Sequence, residues 1–183
     1  MQDNNEKGPD RDLVDRLVSA YDTMLGRVSD TLAGIEKKGL PGLRESIDHA
    51  REHAVELGEL TREEADRIAS YVQRDMEEAA SFLADTGEEI REWLRFDLQL
   101  VETRLIDVFS RVADQTSLQL RELAERARRA ELYHTGEVAG PGTLVCTACG
   151  KELHFHKPGR IPPCASCRGI EFRRPQPPEP PTD

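Results

Sequence analysis

A chain of 183 residues with 37% hydrophobic, 5% aromatic and 33% charged residues holds too little apolar material for a large globular core. It favours elongated helices that each bury one stripe, and it argues against a deep apolar-lined substrate cleft. The net charge of −10 sits in one part of the chain: residues 1–130 carry 19 Lys and Arg against 29 Asp and Glu, whereas residues 131–183 carry six of each. An acidic body is repelled by nucleic-acid phosphates and by anionic membrane surfaces.

The opening MQDNNEKGPDRD lacks the apolar stretch of a secretory leader. No segment approaches the roughly 18 apolar residues of a membrane span. The expectation is a soluble, cytoplasmic protein with no membrane contact.

Residues 1–10 are polar and predicted disordered, and a helical domain is predicted over 11–131. In its first helix Val14, Val18, Tyr21, Leu25, Val28, Leu32 and Ile35 follow at alternating steps of four and three, the seam along which one helix packs on another. Lys37, Lys38 and Gly39 predict its end near residue 38, and Pro41 suits the first turn of the next. A second stripe, Leu43, Ile47, Ala50, Ala54 and Leu57, stops at Gly58. Thr61 and Glu64 then form a capping box for a third helix, with the stripe Ala65, Ala69, Val72, Met76, Ala79 and Leu83.

The phase slips at ADTGEE, residues 84–89. Asp85 or Thr86 as the cap of a new helix is one reading; one helix running through Gly87, at about 1 kcal/mol, is the other. A continuous helix from Thr61 to Ala130 exceeds the usual globular length, which favours the break. A fourth helix carries Ile90, Leu94, Leu98, Val101, Leu105, Val108 and Val112, then Leu120, Leu123 and Ala127, with Trp93, Phe96 and Phe109 as packing residues. The sum is a mainly α fold, an elongated helical hairpin or coiled-coil bundle.

From Tyr133 the texture changes. YHTGEVAGPGTL is rich in glycine and has no helical period, so residues 132–142 read as a hinge. A small β module follows over 143–174. The tail PQPPEPPTD, residues 175–183, is predicted extended and disordered.

All four cysteines lie in this module as two Cys-x2-Cys pairs, Cys146/Cys149 and Cys164/Cys167, fourteen residues apart. In a reducing compartment such pairs are more often metal ligands than disulfides. Each pair forms a knuckle whose turn aims both sulfurs at one Zn²⁺. Four thiolates close the tetrahedron and leave no position for water, so the single ion is read as structural. Gly150 is placed to let backbone N–H groups face sulfur through a positive φ, with Gly169 in a looser version of that role. GTLV, KELHFH and GIEFR supply three short strands, which makes a zinc ribbon too small to fold without its metal. A redox pair of the thioredoxin kind requires a helix after the motif, and none is predicted there.

The stretches YHTGEVAGPGTLVCTAC, PPCASC and FRRP, with GELTREEADRI and ADQTSLQL upstream, resemble the bacterial YbeL-like proteins, a zinc-ribbon-containing family of unknown function. The likeness covers roughly residues 43–174 and implies metal-binding roles for Cys146, Cys149, Cys164 and Cys167. It implies no activity, and it leaves an N-terminal extension and the proline tail unmatched.

Three other signals compete. HAREH at 49–53 spells the inverted zincin pattern, with His49 and His53 as ligands and Glu52 as base, but it falls on a short, solvated helix without a protease-sized domain. In the ribbon, six Lys and Arg against Glu152 and Glu171 leave about +2 once four thiolates and one Zn²⁺ are included. Phe155, Phe172, His154 and His156 are candidates for stacking on bases, which allows weak, salt-sensitive nucleic-acid contact. A helical hairpin with an acidic tip at Asp85, Glu88 and Glu89 ahead of a four-cysteine module is also similar in outline to factors that enter the secondary channel of bacterial RNA polymerase. No Ser/His/Asp set or phosphate-binding glycine loop is present. The resulting expectation is a non-enzymatic binding or regulatory module for another macromolecule, most simply a protein, with homodimerisation through the helix heptads open.

Overall fold

In a computed structural model the described residues are 9–33, 42–86 and 132–175. Helix α1 spans Pro9–Ala33, α2 Leu43–Glu56 and α3 Arg62–Thr86. α1 begins at Pro9, two residues inside the stretch expected to be disordered, with proline in a first turn that needs no N–H donor. Lys37 to Pro41, the expected junction to the second helix, lie outside the described residues.

Local chemistry sets the α2–α3 junction. Gly58, at φ 67°, donates to the Val55 carbonyl and Glu59 donates to that of Ala54, at 3.0 and 3.1 Å. This double bond around a left-handed glycine caps the last carbonyls of α2. Leu57, expected on the buried stripe, is instead 56% exposed. It is the residue at which the helix stops, and Leu60 on the far side of the turn enters the core in its place. The capping box forms as read: Glu64 N–H donates to Thr61 Oγ1 at 3.2 Å and Thr61 N–H donates to Glu64 Oε2 at 2.9 Å.

Each described helix packs against the other two. Tyr21, Met24, Leu25 and Val28 of α1 meet Ile47, Ala50 and Ala54 of α2, and Ala65, Ile68, Val72, Met76 and Ala79 of α3. The seam of α1 is thus turned inward over these residues. The described residues form a three-helix cluster and do not establish the elongated hairpin or coiled coil. Asp85 and Thr86 belong to α3, while Gly87, Glu88, Glu89 and the expected fourth helix lie outside the described residues. No helix among the described residues is long and apolar enough to cross a membrane.

The C-terminal part holds six short strands: β1 Tyr133–His134, β2 Val138–Ala139, β3 Gly142–Cys146, β4 Glu152–Phe155, β5 Gly159–Arg160 and β6 Glu171–Arg173. One antiparallel sheet has the order β1-β6-β3-β4, and β2 and β5 form a second. The three expected strands correspond to β3, β4 and β6. Residues 132–142, read as a hinge, instead supply β1, β2 and the start of β3. Glycine content hid them, because two-residue strands leave no alternation to detect. Val138 belongs to the helical core rather than to the ribbon core, and β2 and β5 lie against the helices.

Candidate metal centre

Cys146 ends β3, and the turn to β4 carries Cys149; Cys164 and Cys167 lie on the loop before β6. Pairing of Cys146 with Phe172 joins the first knuckle to the strand that leaves the second. The two turns repeat one geometry. Gly150 N–H donates to the Cys146 carbonyl at 2.9 Å, and Arg168 N–H donates to the Cys164 carbonyl at 2.8 Å. Both residues take positive φ, 73° and 61°. Gly150 takes the positive φ expected of it, and its own N–H closes the turn on the Cys146 carbonyl. Gly169 N–H reaches sulfur, 3.4 Å from Cys167 Sγ. Space at Gly169 is tight: a Cβ there would sit 3.0 Å from Cys146 Sγ and 3.2 Å from Cys167 Sγ.

The four sulfurs predicted to act together are brought together, all within 4.8 Å of one another. Cys146 and Cys167 sulfurs stand 3.6 Å apart, as do those of Cys149 and Cys164. A tetrahedral ZnS₄ site with bonds of about 2.3 Å requires sulfur separations of about 3.8 Å, so the donor set fits a zinc ion in both chemistry and spacing. N–H groups of Cys167 and Ser166 directed at Cys164 bring its thiol down to about 6. At Cys167 the Gly169 N–H favours the thiolate, but contacts with the Cys149 and Cys146 sulfurs hold the proton and push the thiol up to about 12. The sulfurs thus share protons that a divalent cation would replace.

The other signals fare differently. Phe155 and Phe172 are buried with Leu144 and Ile161 in the ribbon core, so neither is presented to a base. His154 Nδ1 is 2.9 Å from Thr143 Oγ1, and its Nε2 lies 3.7 Å from Glu152; His156 is exposed. The rings of His49 and His53 stack on the outside of α2 at 6.2 Å. Glu52 accepts from Arg51 at 3.0 Å and from Arg62 at 3.4 Å. The Arg51 bond, with Arg62 beside it, holds this carboxyl below the usual range. Among the described residues the four cysteines are the only cluster of three or more metal-ligating groups.

One feature escaped the sequence reading. Asp75 of α3 is fully buried, and each of its oxygens accepts two hydrogen bonds. Oδ2 accepts from Tyr21 Oη at 2.5 Å and Gly140 N–H at 2.6 Å. Oδ1 accepts from Tyr133 Oη at 2.6 Å and Arg174 Nη2 at 3.3 Å. Burial pushes both tyrosines well above their ordinary range, with the Asp75 carboxylate adding to it, so both remain donors. Arg174 Nε also donates to Tyr133 Oη at 3.3 Å. Arg74 stacks 3.7 Å from the centre of the Tyr133 ring and pairs with Glu137 at 2.6 Å. The signal was in the spacing: Ala65, Ile68, Val72, Asp75 and Ala79 follow at steps of three and four, so Asp75 falls on the seam itself.

Two Cys-x2-Cys knuckles closing a small antiparallel sheet on a helical body define a zinc-ribbon protein. The family described as "Zinc-ribbon containing domain" matches residues 30–176, and the chain belongs to it. It is similar to the uncharacterised protein YbeL of Escherichia coli strain K12, with 28% identity over 161 residues, covering 88% of this chain and 97% of that protein. The same values hold for YbeL of the O6:H1 strain CFT073 and of O157:H7. The likeness thus extends beyond residues 43–174, and less of the N-terminal region stands apart than expected. No solved structure matches the chain.

Proposed function

We propose that this chain is a non-catalytic binding or regulatory module of the cytoplasm. Its Cys146, Cys149, Cys164 and Cys167 hold one structural zinc, and its target is another macromolecule, most simply a protein. The observation that carries this reading is the convergence of four sulfurs within 4.8 Å. Four thiolates complete a tetrahedral sphere, so the ion stabilises the ribbon and offers no open position to a substrate.

A protein target is favoured over nucleic acid by where the ribbon's charges lie. Arg174 pairs with buried Asp75, and Glu152 and Arg173 both pair in register with Val145, so one acidic and one basic side chain flank the same residue of β3. The two phenylalanines that would stack on bases are interior. The polymerase-associated alternative rests on Asp85, Glu88 and Glu89, and the last two lie outside the described residues.

Metal analysis of the purified chain tests the zinc, with one equivalent expected and its loss on Cys146→Ser. An affinity pull-down at two salt concentrations, with and without nuclease, tests the partner. Capture that survives both nuclease and salt supports a protein target; capture abolished by nuclease overturns it in favour of nucleic acid. Two zincs with peptidase activity would revive the HAREH reading.

A further inference from the structure

The three ribbon groups on Asp75 come from three separate places: Tyr133 from β1, Gly140 from the residue after β2, and Arg174 from the residue after β6. They converge only when the strands are paired. β1 is held by β6, through Tyr133 against Phe172, and β6 is held by β3, through Phe172 against Cys146. β2 is held by β5, with Ala139 opposite Gly159. Cys146 and Cys167 thus stand at one end of the β3–β6 pairing, where β3 ends and the chain enters β6, and Gly169, whose N–H contacts Cys167 sulfur, is five residues before Arg174.

The helical side of the contact is equally specific. Asp75 and Tyr21 lie on different helices, and their oxygens occupy the space into which a Cβ at residue 140 would project, at 3.0 and 2.6 Å. Val138 inserts into the helical core beside them. A carboxylate with four donors is well placed while the ribbon is docked. Without the ribbon it would keep only the Tyr21 donor among these four.

We infer that metal binding at the four cysteines and docking of the ribbon on α1 and α3 are one coupled equilibrium. Asp75 is its positioning residue, so metal loss uncovers the face of the helices around Tyr21 and Asp75. The inference rests on the reading that the cysteines hold zinc. A metal that folds the ribbon also forms the docking surface, and by linkage docking energy appears in the metal affinity to the same extent. The helices thereby sense the metal state.

The test uses the full chain loaded with zinc and titrated with a chromophoric chelator. Asp75→Asn, which turns an acceptor into a donor facing donors, is expected to weaken zinc binding about tenfold or more, and Tyr133→Phe by a smaller factor, because the docking energy each removes appears in the metal affinity. Ile47→Val, on α2, which supplies none of the groups on Asp75, destabilises the helices and is expected to leave zinc affinity unchanged. In the unaltered chain, metal removal is expected to lower hydrogen-exchange protection of α3 around residues 72–79. Unchanged zinc affinity in both Asp75→Asn and Tyr133→Phe overturns the coupling, as does unchanged α3 protection on metal removal. Should Asp75→Asn fail to fold, Tyr133→Phe and the exchange measurement decide. An unaltered chain that binds no zinc overturns the underlying reading as well, and is distinguished by metal analysis before any variant is made.

Discussion

Arg174 and Asp75 lie 99 residues apart in sequence and meet at 3.3 Å in a pair that solvent barely reaches. The attraction within such a pair is largely offset by removing both charges from water, so its presence alone is a weak source of stability. Breaking it is a different matter. Asp75→Ala takes its buried carboxylate partner from Arg174 and the acceptor from two tyrosine hydroxyls and one amide. The expected loss is about 3–5 kcal/mol. Tyr21→Phe removes one neutral donor to a buried carboxylate and is expected to cost about 1.5–3 kcal/mol. Arg174→Met, which leaves Asp75 three of its four donors, should fall between them. Urea denaturation of the three variants checks the order.

At Gly140 the ribbon backbone runs close against the helices. A methyl group there would stand 2.6 Å from Tyr21 Oη and 3.0 Å from Asp75 Oδ2, and neither atom can move without breaking its own bonds. Gly140→Ala is expected to destabilise by about 1–3 kcal/mol. Gly26, within α1, has nothing within 4 Å of the same added atom. Gly26→Ala should instead stabilise, by up to about 1 kcal/mol, because alanine favours the helix. Thermal melts of the two variants should move in opposite directions.

The knuckles differ at one position. Gly150 takes its left-handed conformation freely, but Arg168 at φ 61° pays a steric cost of about 1–2 kcal/mol for the same turn. Arg168→Gly is expected to stabilise the zinc-loaded chain by about 0.5–1 kcal/mol after the extra freedom of the unfolded glycine is counted. Gly150→Ala should destabilise by a similar amount. Denaturation at saturating zinc checks both.

Glu78 gives the fold a pH dependence. Burial raises its carboxyl from 4.5 to about 7, despite the opposing pull of Arg174. The folded chain therefore holds this proton more tightly than the unfolded chain. The associated stability is fully present below about pH 4.5 and is lost as the pH rises through about 7. Between pH 5.5 and 7.5 the loss amounts to about 2 kcal/mol. Glu78→Gln removes it, so unfolding free energies of the variant should vary less over this range than those of the unaltered chain.

How far these features could be read beforehand depended on whether one residue's neighbours in sequence are also its neighbours in space. The cysteine pairs and the Thr61–Glu64 box satisfy that condition, and both appear as expected. The α1 stripe Tyr21, Leu25 and Val28 was legible because a helix repeats its own pattern. Asp75 was not, because a carboxylate on a seam becomes sensible only once Tyr133, Gly140 and Arg174 arrive from the far end of the chain. Ile68 was passed over with it, since the stripe was followed in steps that favoured Ala69 and Met76. Leu57 failed for the opposite reason: its spacing was right, but the helix ends there.

Val138 and Tyr133 bear on any attempt to dissect this protein. A fragment begun at residue 143, where the ribbon alone would be thought to start, lacks the strand that flanks Phe172 and leaves one edge of its sheet bare. A helical fragment stopped at residue 131 keeps Tyr21 and Asp75 but exposes them, together with the hole that Val138 fills. The smallest ribbon-containing unit worth expressing therefore retains residues 132–142, and the two halves are better separated by removing the metal than by cutting the chain.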